Sequence, residues 1–383
     1  MLLIKPYLGC NLHCRYCYER DLRASVRPEL SYDLPLILER IKSYKGNQQI
    51  TLHGGEPLCL PKKDIETILS TIFDISGQSG IQTNGIAIDD ELIEMFKKYK
   101  TGVGVSFDGP DGLSAFRMSA EQEKLVWSNI VRMKEMGINV SIIAVVSQSN
   151  ALDDAEFEKF KAWVDVLGKL KIQGRLNPCT EASEFMLPKD RLVDVYLDLA
   201  AFCLARNYQF SPFEDIIRRL KGEKAVCTFM GCDIFHTESA TVVLDDGTLS
   251  NCMRTNKDEI LIQYPSIYKT RAKILEVMSQ EYGGCGGCKF FYACQGGCPS
   301  VAADWRDRTE FCYLWTALFG YFEAILKSAG LQIPPLREEC APKTRPGSEL
   351  VHPAGAVPVP GKPGWTHIDG HADSPHNDSR GVR

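Results

Sequence analysis

The chain has 383 residues, 44% of them hydrophobic, enough for a large core and two domains, and its net charge of -5 argues against nucleic acid or an anionic membrane surface as the main partner. Its apolar stretches are strand- or helix-sized and interrupted, so no membrane span is expected, and Met1 to Lys5 is too short for a signal peptide, which makes the cytoplasm the expected compartment. There, fifteen cysteines point to metal binding rather than disulfides.

Read in chain order, apolar alternation predicts strands at Leu2 to Lys5, Gln49 to His53, Gly80 to Thr83, Val103 to Phe107, Asn139 to Val146 and Lys171 to Leu176. Helical periodicity lies between them, at Asp33 to Tyr44, Lys63 to Phe73, Asp90 to Tyr99, Glu121 to Met136 and Ala155 to Leu167. Six βα units joined by right-handed crossovers form a parallel sheet that curls toward a barrel, with chemistry expected at the strand C-termini. Two more helical segments, Lys189 to Arg206 and Phe213 to Lys221, lead to a cysteine-dense region. Within it, Thr241 to Leu244 and Thr248 to Asn251 flank Asp245-Asp246-Gly247 as a hairpin, and Tyr313 to Leu326 reads as a packed helix. Residues 341–383 hold seven of the twenty prolines and four of the seven histidines without apolar periodicity, the composition of a disordered extension.

The chemistry-bearing motifs fall at the strand ends. Cys10, Cys14 and Cys17 lie on one short loop after the first strand, and three thiolates can hold three irons of a 4Fe-4S cluster while leaving the fourth open. A zinc loop using the same thiols is the competing account. The second strand runs into Gly54-Gly55-Glu56-Pro57, where the glycines permit close backbone approach to a ligand and the carboxylate can accept from an ammonium group. Asn84 follows the third strand, Ser106-Phe107-Asp108-Gly109-Pro110 ends the fourth with Arg117 shortly after, and Asn177-Pro178 follows the sixth. Asn-Gly and Asp-Gly-Pro are also ordinary turn formers.

The CxxxCxxC spacing, with Tyr16 just before the third cysteine, resembles the radical S-adenosylmethionine (radical SAM) superfamily. The resemblance implies a cluster on Cys10, Cys14 and Cys17 that binds S-adenosylmethionine at its open iron and yields a 5'-deoxyadenosyl radical. It further implies that Gly54, Gly55, Glu56 and Pro57 contact the methionine amino group, with Glu56 as the acceptor. Asn84, Ser106, Arg117 and Asn177 would line the cofactor, a Ser and an Arg reaching its carboxylate. The fold so implied is α/β, a partial (β/α)6 TIM-like barrel open on one side for a large substrate.

The later cysteines, Cys227, Cys232, Cys252, Cys285, Cys288, Cys294, Cys298 and Cys312, resemble the C-terminal Cys-rich SPASM domain of radical SAM enzymes that modify peptides and proteins. By that resemblance two auxiliary 4Fe-4S clusters are expected. Cys232, Cys252 and Cys298, with Cys227 as the fourth ligand, would hold one, and Cys285, Cys288, Cys294 and Cys312 the other. A zinc-ribbon pair is the alternative use of these thiolates. The expected domains are a radical SAM barrel over residues 1–212, a SPASM domain over 213–330 and the tail over 331–383.

The function implied is modification of a residue in a ribosomally made precursor peptide. Nothing in the residues chooses among crosslinking, epimerisation, decarboxylation and backbone excision, and no catalytic residue is assigned. Met253 stands where side-chain-oxidising relatives carry an Asp, which disfavours a sulfatase-maturase-like dehydrogenase; a small-molecule dehydrogenase and a non-catalytic zinc or iron-sulfur module are the other readings. Expected partners are the precursor peptide, an electron donor such as flavodoxin or ferredoxin, and, because only nine residues precede Cys10, a separate leader-peptide-binding protein. Cys203 reads as core, whereas Cys59 and Cys179 follow site strands and either could face the cavity.

Overall fold

The structure, a computed structural model, describes residues 1–20, 30–46, 49–180, 183–223, 241–250, 252, 254, 271–304, 306–331, 356–358 and 366–368. Its main sheet begins with β1 (Leu2–Ile4), β2 (Ile50–Leu52), β3 (Ser79–Thr83), β4 (Thr101–Ser106), β5 (Val140–Val146) and β6 (Gln173–Pro178), each parallel to the next. Helices α1 (Leu34–Ser43), α2 (Lys62–Ser76), α3 (Asp90–Lys98), α4 (Ala120–Glu135) and α5 (Asp154–Lys169) supply the crossovers. Short polar side chains start these helices. Asp33, Asp89 and Asp153 accept from the backbone N–H three residues on, and Ser119 with Gln122 closes a reciprocal cap at α4.

The burial pattern of β5 explains how a barrel strand serves both core and site. Val140, Ile142, Ala144 and Val146 are buried against the helical layer, while the alternate residues Ile143 and Val145 line the inner cavity. The helical layer answers with Phe157, Phe160, Trp163, Val164 and Leu167 of α5, all buried.

The sheet is wider than the six expected strands. β7 (Phe210–Ser211) pairs in parallel with β6, and β8 (Thr241–Val243) pairs in parallel with β1, carrying β9 (Leu249–Ser250) as its antiparallel partner. The order is thus β7-β6-β5-β4-β3-β2-β1-β8-β9, and the expected hairpin around Asp245-Asp246-Gly247 extends this sheet. A domain boundary at residue 212 would therefore separate strands of one continuous sheet. β6 also runs to Pro178, so Asn177 and Pro178 lie within the strand opposite Val145 and Val146 rather than after it.

Beyond β6, α6 (Lys189–Arg206) and α7 (Phe213–Leu220) pack with the final long helix α9 (Cys312–Ser328), which follows α8 (Arg271–Val277) in the cysteine-rich region. The joint is aromatic: Phe213 lies 6.2 Å from Tyr196 on one side and 6.2 Å from Phe322 on the other. Burial of each such ring contributes about 1.5–3 kcal/mol.

In the tail, β10 (Ala356–Pro358) and β11 (Thr366–Ile368) pair antiparallel, with His367 opposite Val357. Val357, Thr366 and Ile368 are β-forming residue types. His352, His371, His376 and Cys340 lie outside the described residues.

Candidate active site

The C-terminal ends of β1 to β6 surround a cavity of about 260 Å³. Cys10, Cys14, Tyr16 and Cys17 line it from the loop after β1, Gly54 to Glu56 from the end of β2, and Asn84, Ser106, Arg117 and Asn177 from the later strand ends. Pro57 does not line it; that residue instead opens the 3-10 turn Pro57–Cys59, which Glu56 caps.

The paired glycines also allow a close backbone contact within the protein. A side chain at Gly54 would lie 2.6 Å from the Tyr7 carbonyl oxygen, and one at Gly55 would collide with the carbonyls of Leu8 and Gly9. Gly55 and Glu56 donate their backbone N–H groups to Tyr7 and Gly9, both at 2.9 Å. The glycines thus let the end of β2 approach the loop that presents the cysteines, while both also line the cavity.

Glu56 is buried and already partly satisfied. Its carboxylate accepts from the Thr83 hydroxyl at 2.7 Å, the Leu58 N–H at 3.0 Å and the Asn84 N–H at 2.6 Å. Burial raises its pKa, and these donors work against the rise. Asn84 extends the network by donating its side-chain amide to Asn11 at 2.7 Å, inside the cysteine loop. On the opposite wall, Gln82 donates to the Ser106 hydroxyl at 3.1 Å.

Arg117 faces the cavity, but its guanidinium is committed to Asp108. Nε lies 3.2 Å and an η nitrogen 2.9 Å from the two carboxylate oxygens. The fully buried Asp108 also accepts from the Tyr16 hydroxyl and, at 2.8 Å, from the Val145 N–H. Asp108 thus organises the site without having been singled out in the sequence, because Asp-Gly-Pro reads first as a turn. Thr83, Gln82 and Asn11 were missed likewise; the available signal was their clustering at strand C-termini.

The donor set suits a multi-iron cofactor. The three loop thiols share one cavity wall, where each could bind an iron of one cluster. Burial pushes the Cys14 thiol up to about 11, against the opposing pull of Arg117, so a cationic group is needed to hold it as thiolate.

A second pocket lies in the cysteine-rich region. Cys285, Cys288, Cys294 and Cys312 all line it, together with Phe290, Phe291 and Phe319. Burial and neighbouring thiols push Cys285 and Cys294 up to about 12 each. Of the other expected ligands, Cys298 is buried with its sulfur 3.1 Å from the Ser300 hydroxyl, and Cys252 accepts from the Arg254 N–H at 3.4 Å. Cys227, Cys232 and Met253 lie outside the described residues.

Arg254 reaches the main cavity, donating to Thr180 at 2.9 Å with its guanidinium 5.0 Å above the Tyr18 ring. Cys179 lines the same cavity and is buried against Tyr16; Cys59 does not line it, and Cys203 is core as expected.

Residues 4–160 match the Radical SAM superfamily. The cysteine-type anaerobic sulfatase-maturating enzyme of Clostridium perfringens (strain 13 / Type A) is 23% identical over 84% of this chain and 95% of its own length. The serine-type enzyme of Bacteroides thetaiotaomicron is 31% identical, over 43% of this chain and 44% of that protein. Among solved structures, native anSMEcpe with bound AdoMet and Kp18Cys peptide has a similar fold, with a TM-score of 0.67, 21% identity, and coverage of 86% of this chain and 98% of that one. Streptococcus suis SuiB bound to precursor peptide SuiA is also similar, with a TM-score of 0.54, 17% identity, and coverage of 78% and 71%. Residues 4–160, which carry the three-cysteine loop and most of the strand ends around the cavity, are thus a Radical SAM domain, and that family uses a 4Fe-4S cluster and S-adenosylmethionine.

Proposed function

We propose that this enzyme modifies a residue within a ribosomally made precursor peptide. The carrying observation is the cavity at the C-terminal ends of the strands, where the cysteine loop meets buried polar groups from the following strands. Cys10, Cys14 and Cys17 would hold the catalytic cluster, with Tyr16 packed beside them. Glu56 retains acceptor capacity beyond its three protein donors for the methionine ammonium, supported by Gly54, Gly55 and Pro57 behind it. Asn84, Ser106, Arg117 and Asn177 would border the rest of the cofactor. When bound, cluster and S-adenosylmethionine supply a 5'-deoxyadenosyl radical; the chain's residues orient the peptide and exclude water.

Cys285, Cys288, Cys294 and Cys312 would hold one auxiliary cluster, as their shared pocket supports. Cys252 and Cys298 would join Cys227 and Cys232 in the other. A flavodoxin or ferredoxin would deliver electrons, a separate protein would bind the leader peptide, and the setting would be cytoplasmic; no described helix is long and apolar enough to cross a membrane.

A polypeptide substrate is favoured by the similar structures: SuiB was solved with precursor peptide SuiA and anSMEcpe with Kp18Cys peptide. The long alignment with the C. perfringens enzyme supports a second reading, sulfatase-maturase-like oxidation of a protein side chain. The test is anaerobic incubation with a short peptide encoded beside this gene, followed by mass spectrometry. A mass change at one residue, stoichiometric with 5'-deoxyadenosine, is expected. An unaltered peptide alongside a sulfatase-derived peptide converted to formylglycine would replace the first reading with the second.

A further inference from the structure

The Tyr16, Asp108 and Arg117 cluster joins the cysteine loop to the barrel. Tyr16 stands between Cys14 and Cys17 in sequence, and its hydroxyl donates to the buried Asp108 carboxylate. Arg117 grips the same carboxylate through two nitrogens, at 3.2 and 2.9 Å, and its guanidinium carbon lies 5.5 Å above the Tyr16 ring. The loop is tied to this segment a second time, where the Arg15 N–H donates to the Phe116 carbonyl at 2.8 Å. Cys14 and Phe116 both pack against the buried cluster of Tyr16 and Cys179. A buried pair of opposite charges therefore sits against the loop that carries all three N-terminal thiols.

We propose that Asp108 is a positioning residue which, with Arg117, sets the reduction potential of the cluster on Cys10, Cys14 and Cys17. The inference rests on the reading of those cysteines as the cluster site. Reduction adds one negative charge to an iron-sulfur cluster, so a nearby positive charge raises its potential and a negative charge lowers it. In this pair the two charges oppose each other at short range and in a buried setting where screening is weak. Asp108 thereby fixes the Arg117 guanidinium and offsets its charge.

The sign of the effect separates this role from simple support of the fold. Asp108→Asn leaves Arg117 uncompensated and should shift the potential in the positive direction. Arg117→Gln leaves Asp108, still held by the Val145 N–H and Tyr16 hydroxyl, and should shift it in the negative direction. Tyr16→Phe removes a hydrogen bond without changing charge and should leave the potential in place. The measurement is an anaerobic redox titration of the full-length, cluster-loaded chain by electron paramagnetic resonance, read on the signal that changes when S-adenosylmethionine is added. Shifts of opposite sign from the two charge variants support the inference, and either variant alone tests its predicted sign if the other fails to fold. Shifts of one common sign, or none, overturn it. If the wild-type chain shows no signal that responds to S-adenosylmethionine, the functional reading itself fails instead.

Discussion

The backbone N–H of Asn84 donates to the Glu56 carboxylate across 2.6 Å, while the Asn84 side chain reaches Asn11 at 2.7 Å. This one residue connects the end of β2 to the cysteine loop through the end of β3. Glu56 is consequently a structural acceptor as well as a candidate cofactor contact. Glu56→Gln turns an amide donor toward groups that are themselves donors, with an expected stability loss of about 1–3 kcal/mol. Thermal melts of the cluster-loaded protein should show a lower Tm, and S-adenosylmethionine should bind more weakly by calorimetry. A variant with unchanged Tm and affinity would show that the network is dispensable.

The glycine pair makes a separate prediction about the loop. In Gly55→Ala the new methyl meets the backbone of Leu8 and Gly9, which cannot rotate away as a side chain would. Overpacking at such a site costs about 1–3 kcal/mol, and the displaced segment leads directly to Cys10. Iron retained after reconstitution should fall relative to wild type. Full iron content would mean that the loop tolerates the shift.

The cysteine-rich pocket is tested by counting. Because Cys285, Cys288, Cys294 and Cys312 share one pocket, Cys294→Ala should lower the iron content by about four per chain. The signal that responds to S-adenosylmethionine should persist. Loss of that signal would show that the two centres do not assemble independently.

His53 gives the chain a pH dependence of known sign. Burial, reinforced by Lys5, lowers its pKa from 6.5 to about 4. Between these values the unfolded chain binds a proton that the folded chain does not, so stability is present above about pH 6.5 and is lost as pH falls toward about 4. The full effect is about 3 kcal/mol. Melts at pH 7.5 and 5.5 should show a smaller drop for His53→Gln than for wild type. Equal drops would assign the acid sensitivity to other groups.

The parallel barrel was legible because strand and helix periods alternate regularly up to Leu176. Lys189–Arg206 even emerges with the bounds its pattern implies, since Pro188 and the left-handed Asn207 punctuate both ends. β7 was not legible: a two-residue strand has no period, and Phe210–Ser211 is specified by pairing with Gly174 and Arg175. Nor can local pattern reveal that Thr241–Val243 adds to the far edge beside β1, which is a long-range pairing. At the site, cysteine spacing and Gly-Gly-Glu-Pro were visible as motifs. Asp108 was hidden because its four contacts come from separate parts of the chain, on Tyr16, Arg117 and Val145.

The most direct test of the central claim is anaerobic reconstitution followed by assay of 5'-deoxyadenosine release from S-adenosylmethionine under a strong reductant. The account predicts about twelve irons per chain with deoxyadenosine formed, and about four fewer irons with no release once Cys10, Cys14 and Cys17 are replaced by Ala. Stoichiometric zinc without cleavage, or release that survives the triple replacement, would contradict it.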